Sequence, residues 1–214
     1  MSLKLYNYRH SVYSWIARLA LAEKGLVYDL IEIDPFEDNP ADEFLEINPL
    51  CRVPALIHNG FQLFETAAMT RYLDEAFSGP TLQPQSGQSK ARQNQIIAVI
   101  DYDAYWPLVR QVFVQTFYNP LVSEPTDESE QTKGLQRSTE VLSVLEGLAS
   151  GGKFLVGKEF SLADIHLFPM IAYFSASEEG REALAKFEKL FAWFNHQKRR
   201  PSFRMTCPEF LDLT

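Results

Sequence analysis

The chain has 214 residues, of which 46% are hydrophobic and 22% charged, so it is long enough for one large domain or two small ones with a buried core. Its 20 lysines and arginines against 28 aspartates and glutamates give a formal net charge of −8, which disfavours nucleic acid as a partner because an acidic protein repels the phosphate backbone. The two cysteines, Cys51 and Cys207, form no C-x-x-C pair and the four histidines show no metal-ligand spacing, which excludes a disulfide scaffold and a multi-cysteine zinc site.

The N-terminal residues contain no basic region followed by an apolar stretch, so no secretory signal is predicted. No apolar run approaches the roughly 20 residues of a membrane-spanning helix. We therefore expect a cytoplasmic protein without a membrane partner.

The first 77 residues alternate short apolar runs, which predict strands, with apolar residues at helical spacing. Asn59-Gly60 between two apolar runs predicts a β-hairpin. The predicted strands cover 3–6, 27–33, 53–58 and 61–64, and the predicted helices cover 13–23, 41–47 and 66–77. This β-α-β-α-β-β-α order predicts a small α/β domain over 1–77.

Residues 78–89 are polar and rich in glycine and proline, which is typical of a linker. Beyond them the pattern is helical, and no strand is predicted. Helices are predicted over 90–118, over 127–149, from 161 onwards and within 180–198. Pro107 is expected to kink or split the first of these near Tyr105, and Pro201 is expected to end the set. An all-helical domain over 90–214 is therefore expected.

Ser161 and Asp164 have the spacing of a capping box at the start of a helix. The Ser161 hydroxyl can accept from the Asp164 backbone N–H, and the Asp164 carboxylate can accept from the Ser161 N–H. The cap should stabilise the helix by about 1 kcal/mol.

Val53-Pro54 stands where a strand begins. A cis bond there would turn the free N–H and C=O of Val53 toward solvent, where an extended peptide ligand could pair with them as an added strand. The alternative is an ordinary proline on an edge strand.

Glu65-Thr66 lies between a strand and a helix. The Thr66 N–H and hydroxyl at a helix start could hold a carboxylate, and Glu65 could accept an ammonium, so the pair suits an α-amino acid end. The alternative is that Thr66 simply caps the helix.

Four segments in this order and at these separations resemble the cytosolic glutathione S-transferases. They are Leu5-Tyr6 with Ser11 and Arg18-Leu19-Ala20-Leu21, Asn48-Pro49 leading to Arg52-Val53-Pro54-Ala55-Leu56, Phe64-Glu65-Thr66-Ala67-Ala68-Met69 with Tyr72-Leu73, and Phe154-Leu155-Val156-Gly157-Lys158 before the capping box. The resemblance covers nearly the whole chain. It implies a thioredoxin-like glutathione-binding domain over 1–77, a linker over 78–89 and an all-helical domain over 90–214 that forms the electrophile pocket.

The resemblance implies a glutathione transferase, which adds the glutathione thiolate to electrophilic, largely apolar substrates. Glutathione is then a cosubstrate, and no metal is needed. Pro54 would follow a cis bond, Val53 would pair with the cysteinyl part of glutathione, and Glu65 and Thr66 would hold the γ-glutamyl end. The family is usually dimeric, so a homodimer is expected.

Two hydroxyl groups compete for the role of activating the thiol. Ser11 follows the first strand just before the first helix, as the serine does in the phi, tau, zeta and delta classes. Tyr6 lies in the strand, where the alpha, mu and pi classes place a tyrosine. We favour Ser11, which makes the chain a serine-type member closest to phi- or zeta-like bacterial members. A helix-capping role for Ser11 is compatible with this. No cysteine stands at position 11.

The chain departs from the family pattern near the presumed site. Ser11-Val12-Tyr13 replaces the serine-serine-cysteine run of the zeta class, which weakens a maleylacetoacetate isomerase interpretation. Asn39 and Pro40 stand where phi-class members place a histidine–lysine pair for the glycine carboxylate. Arg52 could supply the missing cation, because its planar fork suits a carboxylate, or could be a solvated surface residue.

The electrophile pocket is expected to be aromatic, although an aromatic stripe is more often core than a binding wall. The candidate wall residues are Tyr8, Tyr13, Tyr105, Trp106, Phe113 and Tyr173.

Two other functions fit the same resemblance. One is a glutathione-dependent disulfide or peroxide reductase on the same fold. The other is a non-catalytic interaction module, in which Ser11, Val53-Pro54 and Glu65-Thr66 would not need to occur together.

Overall fold

The computed structural model describes residues 2–37 and 42–211. They form two units, residues 1–81 (unit 1) and residues 82–214 (unit 2). Unit 1 contains a four-stranded sheet with helices, and the described part of unit 2 contains helices and no strand.

The sheet of unit 1 has the strand order β2-β1-β3-β4. The strands are β1 (Leu3–Asn7), β2 (Asp29–Glu32), β3 (Ala55–His58) and β4 (Phe61–Phe64). β1 is parallel to β2 and antiparallel to β3, and β3 and β4 form the predicted hairpin. The predicted β-α-β-α-β-β-α order is confirmed. β2 is shorter than predicted, since the apolar Val27 lies outside the sheet and is 94% exposed.

Three helices complete unit 1: α1 (Val12–Glu23), α2 (Asp42–Ile47) and α3 (Thr66–Ala76). α1 buries Trp15, Ile16 and Leu19, which recur at helical spacing. The helix ends before Gly25, whose φ of 64° is a left-handed conformation that glycine adopts without steric cost.

Lys24 and Asp74 join the C-terminal end of α1 to α3. The Lys24 Nζ lies 3.2 Å from the Asp74 Oδ1 and also donates to the carbonyl oxygens of Asp74 and Pro80. Both side chains are almost fully buried. This buried ion pair therefore links the end of α1 to α3 within unit 1.

Unit 2 begins with a continuous helical run. It consists of α4 (Gly87–Val99), a π-type segment (Ile100–Tyr118) and the short α5 (Asn119–Leu121). The remaining helices are α6 (Glu128–Leu148), α7 (Leu162–Phe174), α8 (Glu178–Leu184), α9 (Glu188–Gln197) and α10 (Pro201–Thr206). α7 is buried on all sides, which makes it the core helix of the unit.

The structure corrects three boundary predictions. α4 starts inside the predicted linker, because the Ser86 hydroxyl accepts from the Ser89 N–H and caps the helix. Pro107 does not split the first helix but lies within the π-type segment. Pro201 begins α10, where its missing N–H costs nothing because the first N–H groups of a helix have no partner in the helix.

None of the helices in the described residues is long and apolar enough to cross a membrane. Within the same residues, no group of three or more histidine, cysteine, aspartate or glutamate side chains is arranged to hold a metal ion.

Candidate functional site

Three segments singled out in the sequence reach the same end of the sheet in unit 1. Tyr6 of β1 is the register partner of Ala55 in β3, and Ala55 is the register partner of Phe64 in β4. Because β3 runs antiparallel to both neighbours, the loop after β1, the residues before β3 and the residues after β4 meet at this end. Ser11, Val53 and Glu65 lie in these three segments.

Ser11 is the N-cap residue of α1. Its Oγ accepts from the Ser14 backbone N–H at 3.2 Å, and its own N–H donates to the Tyr8 carbonyl at 2.9 Å. The side chain is half-buried. Since a serine hydroxyl carries one donor and two acceptor positions, its O–H remains able to donate to a ligand. Capping and a catalytic role are thus compatible in this geometry.

Tyr6, the rival of Ser11, lies in the sheet. Its ring packs against Phe44 of α2, with the ring centroids 5.7 Å apart. It adjoins an apolar cluster that also includes Ile47 and Ala55. This position gives Tyr6 a packing role in the unit.

The Val53–Pro54 peptide bond is cis, as expected. Val53 precedes the first paired residue of β3, and no hydrogen bond to its backbone occurs within the described ranges 2–37 and 42–211. The loop before it is fixed by Asn48, whose Nδ2 donates to the Arg52 carbonyl at 2.7 Å. The N–H and C=O of Val53 therefore lie on a loop that the Asn48 side chain holds in place.

Arg52 is exposed, and no ion pair to it occurs among the described residues. Cys51 is half-buried and packs against the apolar cluster around Phe44, in keeping with an incidental packing role. Asn39 and Pro40, the other residues discussed for the glycine carboxylate, lie outside the described residues.

Glu65 occupies the N-cap position of α3, so the alternative in which Thr66 is the cap is wrong. Glu65 is exposed, makes no side-chain capping bond and has a φ of 69°. A non-glycine residue in such a conformation costs about 1–3 kcal/mol and is often found at functional sites. Thr66 is buried and is the first residue of the helix, where its N–H is one of the four without a partner in the helix.

Glu32, which no sequence pattern singled out, supports the loop after β1. Its carboxylate accepts from the Asn7 Nδ2 and from the Arg9 backbone N–H, each at 2.6 Å. Its Oε1 also lies 3.6 Å from the Arg9 Nε. The register partner of Asn7 is Glu32, so this contact could be found only once the parallel pairing of β1 and β2 was known.

His10 sits directly before Ser11. Burial lowers the pKa of His10, and the charge of Arg9 lowers it further, while the charges of Glu32 and Asp34 oppose the change. The lowered pKa reduces the positive charge that His10 contributes next to Ser11. The Arg9 guanidinium lies 3.6 Å from the Glu32 carboxylate, which offsets part of its charge.

The candidate wall residues fall into two groups. In unit 1, Tyr8 is half-buried and contacts His10 and Phe36 edge-on; Tyr13 is also half-buried. In unit 2, Tyr105 is half-buried and Trp106 is 57% exposed. Their role as walls stays a prediction.

Phe113 and Tyr173 are fully buried in unit 2, with ring centroids 4.5 Å apart. Phe210 contacts both rings. The two residues therefore belong to an aromatic cluster of the core, and their contribution to a pocket wall also stays a prediction.

A shallow cleft of about 740 Å³ in unit 2 contains none of the candidate residues. It lies between α4 and the segment after α6. Its lining residues include Arg92, Gln95, Leu148 and Leu155.

Two family models and several known proteins match this chain. Residues 1–75 match the N-terminal domain model of glutathione S-transferases, and residues 105–201 match the C-terminal domain model. A probable glutathione S-transferase of Nicotiana tabacum is 31% identical over 189 residues, which cover 87% of this chain and 78% of the relative. The chain belongs to the glutathione S-transferase family.

Other known proteins are similar over most of this chain. The maleylacetoacetate isomerase of Mus musculus is 32% identical over 174 residues, covering 78% of this chain and 76% of the isomerase. The solved structure of glutathione S-transferase III in its apo form superposes with a TM-score of 0.84 at 27% identity, covering 98% of this chain and 97% of that one. Glutathione S-transferase I from maize, in complex with an atrazine glutathione conjugate, gives 0.83 at 25% identity, with 96% of both chains covered.

Proposed function

We propose that this protein is a glutathione transferase in which the Ser11 hydroxyl stabilises the thiolate of bound glutathione. The observation that carries the proposal is the position of Ser11. Its hydroxyl caps α1 at the end of the sheet where Val53 and Thr66 also lie. A free thiol has a pKa of about 8.5, so an enzyme that works at neutral pH must favour the anion.

Two features at Ser11 favour a thiolate. The Ser11 O–H can donate to the sulfur, since the hydroxyl uses its oxygen to accept from Ser14. The N-terminus of α1 adds a partial positive charge, which stabilises a nearby anion by typically about 0.3–1 kcal/mol. Each unit by which the thiol pKa falls corresponds to about 1.4 kcal/mol of preferential thiolate binding.

The remaining groups fit the ends of the tripeptide. The unpaired N–H and C=O of Val53 suit the backbone of the cysteinyl residue, as in strand addition. The exposed Glu65 carboxylate suits the γ-glutamyl ammonium, and the Thr66 N–H at the start of α3 suits its carboxylate. Arg52 is the candidate for the glycine carboxylate.

The reaction needs no covalent link to the protein. Binding lowers the thiol pKa, so the thiol proton passes to solvent. The sulfur then donates an electron pair to the electrophilic carbon, a C–S bond forms, and the leaving group departs with the electrons of its bond. The protein contributes charge stabilisation and orientation. We assign the electrophile pocket to the all-helical domain.

A titration of glutathione into wild type and Ser11→Ala, followed by thiolate absorbance at neutral pH, tests the proposal. We expect a saturable thiolate band in wild type that disappears in the variant while glutathione still binds. A band that persists in Ser11→Ala would transfer the role to another donor such as Tyr6. Complete lack of binding by wild type would favour an interaction module. Turnover of a halogenated aromatic but not of a small disulfide would separate a transferase from a reductase.

We further propose a cytoplasmic homodimer. The exposed apolar side chains of Tyr102 and Trp106 lie one turn apart on the π-type segment, and Phe61 is exposed on the edge strand β4. Surfaces of this kind are common at interfaces between subunits. Sedimentation equilibrium should give twice the chain mass, and a monomer at micromolar concentration would contradict this part of the proposal.

A further inference from the structure

Tyr8, Ser11 and Ser14 form a closed set of three hydrogen bonds across the loop between β1 and α1. The Ser11 N–H donates to the Tyr8 carbonyl at 2.9 Å, and the Ser14 N–H donates to the Ser11 Oγ at 3.2 Å. The Tyr8 N–H in turn donates to the Ser14 Oγ at 3.3 Å. Ser14 is fully buried, whereas Ser11 is half-buried. The loop that carries Ser11 is therefore tied to a buried side chain.

The two serines use their polar groups differently. Ser11 accepts from a backbone N–H, which leaves its O–H to face a ligand. Ser14 uses its backbone N–H toward Ser11 and its hydroxyl toward Tyr8. Ser14 thus fixes Ser11 twice, directly through its N–H and indirectly through Tyr8, whose carbonyl holds the Ser11 N–H.

The strength of a hydrogen bond falls steeply when its distance or angle changes. A hydroxyl that stabilises a thiolate must lie within hydrogen-bond distance of the sulfur, and a displacement of the loop weakens this contact. Without the Ser14 hydroxyl, the part-buried Tyr8 N–H would lose its acceptor. The loop would then move to satisfy that N–H with water, and Ser11 would move with it.

We infer that Ser14 is a positioning residue that acts through Ser11 on the reactivity of bound glutathione. This inference rests on the proposed function of Ser11. It assigns to a buried serine, which never touches the substrate, a role in setting how much of the thiol is ionised.

The test compares Ser11→Ala, Ser14→Ala and the double variant with wild type. The readouts are the pH profile of the thiolate absorbance of bound glutathione, and kcat and KM for glutathione. For Ser14→Ala we expect a raised thiol pKa and about a two- to tenfold lower kcat/KM at neutral pH, the size of one hydrogen bond. Because Ser14 acts through Ser11, the double variant should match Ser11→Ala.

A matched control separates positioning from helix stability. Ala20→Gly changes a fully buried residue nine positions after Ser11, in the last part of α1, and it should lower the stability of the helix. Its thiol pKa should equal that of wild type. If Ser14→Ala does not fold, Ser14→Cys serves instead, since its weaker acceptor should give a pKa between those of wild type and Ser11→Ala.

The two possible failures are distinguishable. If Ser11→Ala leaves the thiol pKa unchanged, the proposed role of Ser11 is wrong and the inference falls with it. If Ser11→Ala raises the pKa but Ser14→Ala does not, or if Ala20→Gly raises it as much as Ser14→Ala, only the inference is overturned. A double variant that is clearly worse than Ser11→Ala would also overturn it, because Ser14 would then act independently.

Discussion

The indole N–H of Trp193 donates to the Oδ1 of Asp164 at 2.8 Å, and both side chains are buried in unit 2. The same carboxylate accepts from the Leu155 N–H at 2.9 Å and from the N–H and hydroxyl of Ser161 at 2.9 and 3.0 Å. Asp164 therefore joins the start of α7 to α9 and to the segment before α7. A single carboxylate links three parts of the helical core.

This arrangement predicts an unusual pH dependence of stability. Burial raises the pKa of Asp164 to about 6, although its hydrogen bonds act in the opposite direction. The folded protein therefore holds this proton more tightly than the unfolded chain does. The contribution to the free energy of unfolding is fully present below the ordinary aspartate pKa of 3.8 and is lost as the pH rises through about 6.

The size of the effect is about 3 kcal/mol, at roughly 1.4 kcal/mol for each pH unit. Urea unfolding at a series of pH values measures it. Asp164→Asn should abolish this part of the pH dependence and lower stability by about 1–3 kcal/mol, because its NH₂ group would face donors. Glu159→Gln, at an exposed position of the same unit, is the control and should keep the wild-type profile. If the free energy of unfolding of Asp164→Asn changes with pH in parallel with that of wild type, Asp164 is not the source of the pH dependence.

The same site shows what the sequence could and could not predict. The spacing of Ser161 and Asp164 predicted the capping box, and the bond from the Ser161 N–H to the Asp164 carboxylate is present. The partners Leu155 and Trp193 are 9 and 29 residues away in sequence. Local patterns carry no information on such contacts, since they arise only when the helices pack.

The end of the sheet that carries Ser11 shows the same contrast between local features, which the sequence predicts, and long-range contacts, which it does not. Strand and helix order in unit 1 could be predicted because each element has its own apolar period. The support of the Ser11 loop by Glu32 could not, since it depends on the pairing of β1 with β2. The start of α4 at Gly87 falls inside the predicted linker for a local reason. Glycine and proline are typical of a linker, although Ser86, which caps the helix, is itself a helix-start signal.

Gly134 of α6 should not tolerate a side chain. A Cβ at this position would lie 2.5 Å from the Cβ of Gln111 in the π-type segment. We expect Gly134→Ala to lower the free energy of unfolding by about 1–3 kcal/mol, despite the better helix propensity of alanine.

Gly147 in the same helix provides the matched control. Nothing lies within 4 Å of a Cβ built there. Gly147→Ala should therefore raise stability by up to about 1 kcal/mol. Equal effects of the two substitutions in urea unfolding would show that helix propensity, not close packing, decides both.

The buried Lys24–Asp74 pair should be sensitive to the loss of one partner. The side chains are 2% and 5% exposed. Lys24→Met would break this buried ion pair by removing the ammonium group, which typically costs about 3–5 kcal/mol. Arg9→Met removes one member of the exposed Arg9–Glu32 pair in the same unit and should cost no more than about 1 kcal/mol. Equal losses of stability in Lys24→Met and Arg9→Met, measured by thermal unfolding, would refute this prediction.

Arg52 is an exposed cation directly before Val53, whose backbone makes no hydrogen bond to another described residue. If its guanidinium holds the glycine carboxylate of glutathione, Arg52→Gln should raise KM for glutathione by about tenfold or more, the size of a hydrogen bond to a charged group, and leave kcat almost unchanged. The decisive control is the glutathione monoethyl ester, whose glycine carboxylate is esterified and uncharged. With this ester, wild type and Arg52→Gln should have the same KM. A loss that persists with the ester would mean that Arg52 shapes the loop before Val53 and does not bind the glycine carboxylate.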